Sequence, residues 1–283
     1  MFGEIVVATD GSLGSQTAIS YTAQIAARTG AQVTVLHVVD MPALEEPLIL
    51  ELYDRVGVAF GPEEQEWVAN ILERKADLIL EMAIQQLEAR GVKAEPRKLT
   101  GRVLEVIPEA ARDAGLLVMA ERGKHPIYGI QGSLTERVVR RSTTPVLVTP
   151  PFERKLERAV VAFDGSPGGR QALELAASAG ALLGLALDVV TVQNTEAAGA
   201  GLLSEALEWL WQTATSVPVR GFWRRGQPAE AILKFAREVQ GDLICLGAFS
   251  QASEHKLILG RTATAVLRMG ALPILFARGP VQN

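Results

Sequence analysis

At 283 residues the chain has room for two domains of ordinary size. With 48% hydrophobic and 21% charged residues it can bury full cores, which excludes a disordered chain. A formal charge of −4 offers no basic face for nucleic acid, and the single cysteine, Cys245, cannot close an intramolecular disulfide, which fits a reducing cytoplasm.

Taken in chain order, the first buried strand is expected at residues 5–8, leading through Asp10-Gly11-Ser12 into a helix over about 15–28. A strand at 33–39 follows, then a long segment, 41–64, marked by Pro42, Pro47, Gly57, Gly61 and Pro62. A short helix near 44–53 packed on its own domain is the preferred reading of that segment, with a lid or interaction surface as the alternative. Next come a helix over about 64–90, a strand near 92–99, a helix opened by Gly101 and running to about 113, and a strand at 116–120. A glycine-bearing loop precedes a helix at 134–141 and a last strand at 146–149. Continuous apolar strands with helix-length spacers imply a parallel sheet covered on both faces. The stretch 175–192 is the most membrane-like, but Gly180, Gly184 and Asp188 interrupt it, so a helix running into a strand is expected and no membrane segment.

The series then repeats. Glu-Ile-Val-Val-Ala-Thr-Asp-Gly-Ser at 4–12 matches Arg-Ala-Val-Val-Ala-Phe-Asp-Gly-Ser at 158–166, and 33–40 matches 187–194 at the same offset. Gly101 then pairs with Gly226, Gly132 with Gly260 and Pro145 with Pro273, so the second copy is shorter between its second and third strands. Repetition on this scale indicates a duplicated domain, 1–150 and 155–283, with the Pro150-Pro151 turn and charged residues 153–155 as linker. Each copy is expected to be a doubly wound, five-stranded parallel α/β sheet.

In such a sheet ligands lie beyond the carboxyl ends of the strands, where strand order reverses. That directs attention to Asp10, to residues 38–40 and to the 123–133 loop. Ala120-Glu121-Arg122-Gly123 is followed by eight residues and then Gly132-Ser133-Leu134-Thr135, which opens a helix. Free backbone N–H groups and the helix dipole favour an anion at such a start, and glycines let the backbone approach it; Ser133 and Thr135 add hydroxyls. The plainer alternative is an ordinary cap, as Asp-Gly-Ser is an ordinary Asx turn.

These motifs together, with Pro145-Val146-Leu147-Val148 closing the domain, resemble the universal stress protein family over nearly the whole chain, twice. The resemblance implies a Rossmann-like, adenine nucleotide alpha hydrolase-like fold, and ATP as ligand with Mg²⁺ held through its phosphates. It implies a nucleoside contact at Asp10, an adenine contact at the Val38 backbone, and phosphate contacts at Gly123, Gly132 and Ser133, with Thr135 nearby and Ala120 in the first glycine position. In the second copy the matching positions are Asp164, Val192, Gly247, Gly260 and Arg261, with Ser250 in place of the middle glycine. It further implies a regulatory stress-response protein whose last strands pair as a pseudo-dimer within the chain, and which can associate as a homodimer. The alternatives are an interaction module that binds no nucleotide and a slow ATP hydrolase. For the latter no convincing general base stands near the phosphates, and Glu121 and Asp40 are candidates by neighbourhood alone.

Other signals are weaker. His37 reads as a hydrogen-bonded sheet residue, and His125 and His255 form no metal-ligand cluster with the lone cysteine. No Gly-x4-Gly-Lys-Ser/Thr or Gly-x-Gly-x-x-Gly motif stands where a P-loop or dinucleotide site needs it. Trp209, Trp211 and Trp223 are expected in core or interface positions.

Overall fold

The computed structural model describes residues 2–40, 61–121, 134–213, 216–248 and 259–277. The first half runs β1 (Glu4–Ala8), α1 (Leu13–Thr29), β2 (Gln32–Val39), α2 (Pro62–Glu88), β3 (Ala94–Thr100), α3 (Val103–Ala110), β4 (Leu116–Ala120), α4 (Leu134–Arg141) and β5 (Val146–Thr149). The second runs β6 (Arg158–Ala162), α5 (Pro167–Leu183), β7 (Ala186–Val192), α6 (Glu196–Thr213), β8 (Val219–Arg224), α7 (Pro228–Glu238), β9 (Leu243–Gly247), α8 (Arg261–Met269) and β10 (Ile274–Ala277). The short helix expected near 44–53 lies outside the described residues.

Local chemistry explains the boundaries. Ser12 and Ser166 cap α1 and α5 by accepting the N–H of Ser15 and of Gly169, and both helices stop at left-handed glycines, Gly30 and Gly184. Helix α3 ends about three residues before the expected position and runs through Pro108. A proline has no N–H to offer the carbonyl four residues back, and the Arg141 guanidinium takes the Leu104 carbonyl instead, at 3.2 Å.

The ten strands of the described residues form one sheet, ordered β3-β2-β1-β4-β5-β10-β9-β6-β7-β8. Pairing is parallel within each half, and β5 meets β10 antiparallel, with Leu147 opposite Leu275. The last strands therefore do pair inside the chain, and they fuse two expected sheets into one. Alternation sorts the side chains: Ile5 and Val7 point to the face covered by α1, α2, α5 and α6, while Val6 and Ala8 point to the face covered by α3, α4, α7 and α8. Each core runs unbroken through both halves.

The connection between the halves reads as a linker by composition, yet it is fastened throughout. The Tyr21 hydroxyl accepts the Arg154 N–H at 3.0 Å, and Gln24 donates to Glu153 and to the Arg154 carbonyl. Arg28 donates to the carbonyls of Leu156 and Leu183 at 2.7 and 3.0 Å, tying α1 to both the connector and α5. Burial pushes the Tyr21 phenol up to about 12, so it stays protonated. At the far end the Asp242 carboxylate accepts the N–H groups of Glu157 and Arg158. Leu156 is buried in the shared core, a gain of about 1.5–3 kcal/mol over leaving it in water.

Candidate functional site

The strand order of the first half reverses between β1 and β4, and Asp10 stands just beyond the carboxyl end of β1. Its Oδ1 accepts the Ser12 N–H at 2.9 Å, an Asx turn that Gly11 completes with φ 71°. Beneath the turn lies a polar network. The Thr9 hydroxyl donates to Ser15 Oγ at 3.0 Å and accepts the Gly11 N–H, while Ser15 Oγ donates to the Ser12 carbonyl. The His37 ring joins it from β2, with Nδ1 2.7 Å from the Thr9 carbonyl, which requires the proton on that nitrogen. His37 is thus a hydrogen-bonded sheet residue, as its place in the sequence predicts. Thr9 and Ser15 carry no sequence signal beyond being small and polar.

Val38, half-buried, packs on the same face of the sheet as Ala8 and the α4 residue Val138. Thr135, in the first turn of α4, is buried, and its hydroxyl proton is shared between the carbonyls of Ala120 and Glu121 at 2.8 and 3.0 Å. It closes α4 against the end of β4 and does not project as a free donor. Asp10, Val38, Ala120 and Thr135 are therefore brought to one end of the sheet. Gly123, Gly132 and Ser133 lie outside the described residues, as do His125, Ser250 and His255.

The second half has the same frame and different chemistry. Asp164 Oδ1 accepts the Ser166 N–H at 3.0 Å, with Gly165 at φ 75°. Phe163 and Gly169 replace Thr9 and Ser15, so the polar network is gone. A Cβ on Gly169 would sit 2.6 Å from Asp164 Oδ1. The Asp164 carboxylate thus leans into the space that Ser15 fills in the first half. Gly247 has a packing reason for being glycine: a Cβ there would fall 2.6 Å from the Gly168 carbonyl carbon and oxygen, where β9 meets α5. Gly260 caps α8 and donates to the Ala248 carbonyl at 2.9 Å, Arg261 is exposed in the first turn of that helix, and Val192 is half-buried at the end of β7.

Among the described residues no His, Cys, Asp and Glu side chains gather in a group able to hold a metal. Cys245 is enclosed within β9, and burial pushes its thiol up to about 12, far from a nucleophile's range. Of the tryptophans, Trp209 packs on the core and Trp223 lies against Gly199 and donates to the Gln193 carbonyl. Trp211 is exposed on the outer side of α6, outside the core of the chain. No helix among the described residues is long and apolar enough to cross a membrane.

Comparison with known proteins agrees with this architecture. A sequence profile of the universal stress protein family matches residues 1–150 and again 155–278. Universal stress protein Slr1230 of Synechocystis is 27% identical, the match covering 97% of this chain and 99% of that one. Universal stress protein Rv1996 of Mycobacterium tuberculosis is 26% identical over 98% of this chain and 95% of its own. The crystal structure of a universal stress protein from Archaeoglobus fulgidus superposes with a TM-score of 0.77 over 99% of this chain and 97% of that one, at 24% identity. The chain belongs to the universal stress protein family, as two such Rossmann-like, adenine nucleotide alpha hydrolase-like domains in tandem.

Proposed function

We propose that this protein binds ATP at the carboxyl end of the first half-sheet and acts as a regulatory stress-response protein rather than a dedicated enzyme. The observation that carries the reading is the placement of Asp10. It stands at the switch point between β1 and β4, in a turn held from below by Thr9, Ser15 and His37, where a ribose would lie. The set of groups suits a nucleoside: a carboxylate to accept sugar hydroxyls, a half-buried Val38 near the end of β2 for adenine, and a following helix start for phosphates. Gly123, Gly132 and Ser133 would hold the phosphates, and Mg²⁺ would be carried mainly by the nucleotide. Thr135 takes the part of a positioning residue, since its hydroxyl fastens α4 to Ala120 and Glu121. The two domains are taken as 1–150 and 155–283.

The second half supports a different reading, that of an interaction module without nucleotide. Its Asp164 leans over Gly169, Gly247 is explained by contact with Gly168, and Arg261 stands in the serine position of the loop.

Two measurements test the proposal. Purified protein is denatured and the supernatant analysed for nucleotide, and apo protein is titrated with ATP and magnesium by calorimetry. One ATP per chain, weakened at least tenfold by Gly132→Val, is expected. No bound nucleotide and no heat would overturn it, and unchanged affinity in Gly132→Val would remove the phosphates from that loop. ATP turnover above background that is lost in Glu121→Gln would favour the hydrolase.

A further inference from the structure

Helix α2 is apolar on two opposite faces. Ala76, Ile79, Leu80, Ala83 and Leu87 are buried against the sheet and α1. At 100° per residue, Trp67, Ile71, Leu78 and Met82 form a second stripe on the far side. They are 66%, 44%, 60% and 60% exposed, and the helix has no buried residue before Ala76. Among the described residues, its first half thus carries apolar side chains with no buried core beneath them. The stripe is about 22 Å long and exposes on the order of 400 Å², within the range of the largest apolar patch on a typical monomer.

We infer that this stripe is the contact between two copies of the chain, made by their α2 helices packed antiparallel about a two-fold axis. The sequence spacing is the reason for choosing a second copy as occupant. The intervals along the stripe are four, seven and four residues, which read the same in both directions. An antiparallel copy therefore sets Trp67 against Met82 of the partner subunit and Ile71 against Leu78 of the partner subunit, each pair formed twice. That self-complementarity is what an isologous contact needs. Methionine sulfur against the indole is itself a favourable pairing. The axis passes between Arg74 and Lys75, whose stems lie on either side of the stripe and extend its apolar surface while their charged ends reach water. Counting both stripes and these stems, the contact approaches the ~1,000 Å² of total buried area at which specific interfaces begin.

Charge argues against the other occupants. The helix holds seven carboxylates and two cations, so an anionic membrane surface or nucleic acid would be repelled. Glu73 and Asp77 are turned toward β3, where both pair with Lys98. The remaining acidic excess makes the two helices repel weakly, so added salt should strengthen the association.

The test uses the full chain in sedimentation velocity across micromolar concentrations. A reversible dimer is expected, tightening with salt, and Trp67→Glu with Leu78→Glu should reduce it to monomer with an unchanged far-UV circular dichroism spectrum. Register is read separately by oxidation. Ile71→Cys chains mixed with Leu78→Cys chains should cross-link to each other far more than to themselves, with the buried Cys245 remaining silent. A wild-type monomer throughout, a dimer that survives the double substitution, or cross-linking without preference for the mixed pair would overturn the inference. Every readout is made without nucleotide, so failure here leaves the ATP proposal untouched, and the reverse holds.

Discussion

Glu136 in α4 and Arg268 in α8 meet at 3.0 Å across the junction between the two halves. Each belongs to the helix that follows its half's candidate phosphate loop. The carboxylate side chain is 9% exposed and the guanidinium 60%. Removing the arginine therefore strips a largely buried carboxylate of a charged donor while deleting a group that was itself mostly in water. Arg268→Ala is expected to cost about 1–2 kcal/mol, a discounted value because Glu136 keeps other interactions. Glu136→Gln in that background should recover part of the loss. Urea unfolding of the four members of the cycle measures the coupling; additive effects would mean that the pair does not bind the halves together.

Gly247→Ala should destabilise the second half by about 1–3 kcal/mol. The added methyl would meet the backbone of Gly168 at 2.6 Å, and backbone cannot step aside as a flexible side chain can. The reverse change at the matching position, Ala120→Gly, should cost about 1 kcal/mol, through backbone entropy and the loss of one buried methyl, with no clash to relieve. Thermal unfolding of the two variants makes the comparison. Equal losses would show that the β9–α5 approach relaxes freely.

These two sites mark where the sequence stops being informative. The Asp-Gly-Ser turns that start α1 and α5 were legible, because Ser12 and Ser166 act through bonds a few residues long, whereas the stops at Gly30 and Gly184 are just as local but carried no reading of their own. The strands were legible because burial on both faces leaves continuous apolar runs, and the duplicated motifs carried the tandem. What could not be read depends on partners distant in the chain. Gly247 matches a phosphate-loop pattern, yet the contact that requires glycine there is with Gly168. The connector looks like a loose Pro-rich, charged linker, yet Tyr21, Gln24 and Arg28 fasten it along α1. Periodicity records which side of an element is dry and says nothing of which carbonyl an arginine will reach.

The connector also gives a pH dependence with a definite sign. Arg90 grips Glu153 with two hydrogen bonds of 2.7 and 2.9 Å and, helped by Gln24, holds its carboxyl below the usual value of 4.5. A lowered folded-state value means that the stabilisation is complete above about pH 4.5, where an unfolded glutamate is ionised. It is lost as pH falls through the lower folded value. Both side chains are about one-third exposed, so after solvent screening the gain is held to below about 1 kcal/mol. Wild type should exceed Glu153→Gln in stability at neutral pH, and the two denaturation midpoints should converge as the medium becomes strongly acidic. A gap that persists or widens in acid would assign the effect to packing instead of charge.

Asp10 allows the turn and the ligand contact to be separated. Its Oδ1 accepts the Ser12 N–H, and an asparagine can do the same with its amide oxygen, so Asp10→Asn should keep stability within about 0.5 kcal/mol. Asp10→Ala removes the acceptor and should cost about 1 kcal/mol. If the carboxylate also receives sugar hydroxyls, as proposed, both variants lose a charge-assisted bond, and calorimetry should find ATP binding weakened about tenfold or more in each. In the second half Asp164→Asn should leave affinity unchanged, because that carboxylate lies back over Gly169. Wild-type affinity in Asp10→Asn together with a loss in Asp164→Asn would exchange the roles of the two halves. Wild-type affinity in all three would reduce both aspartates to the turn residues that an Asp-Gly-Ser sequence forms without any ligand.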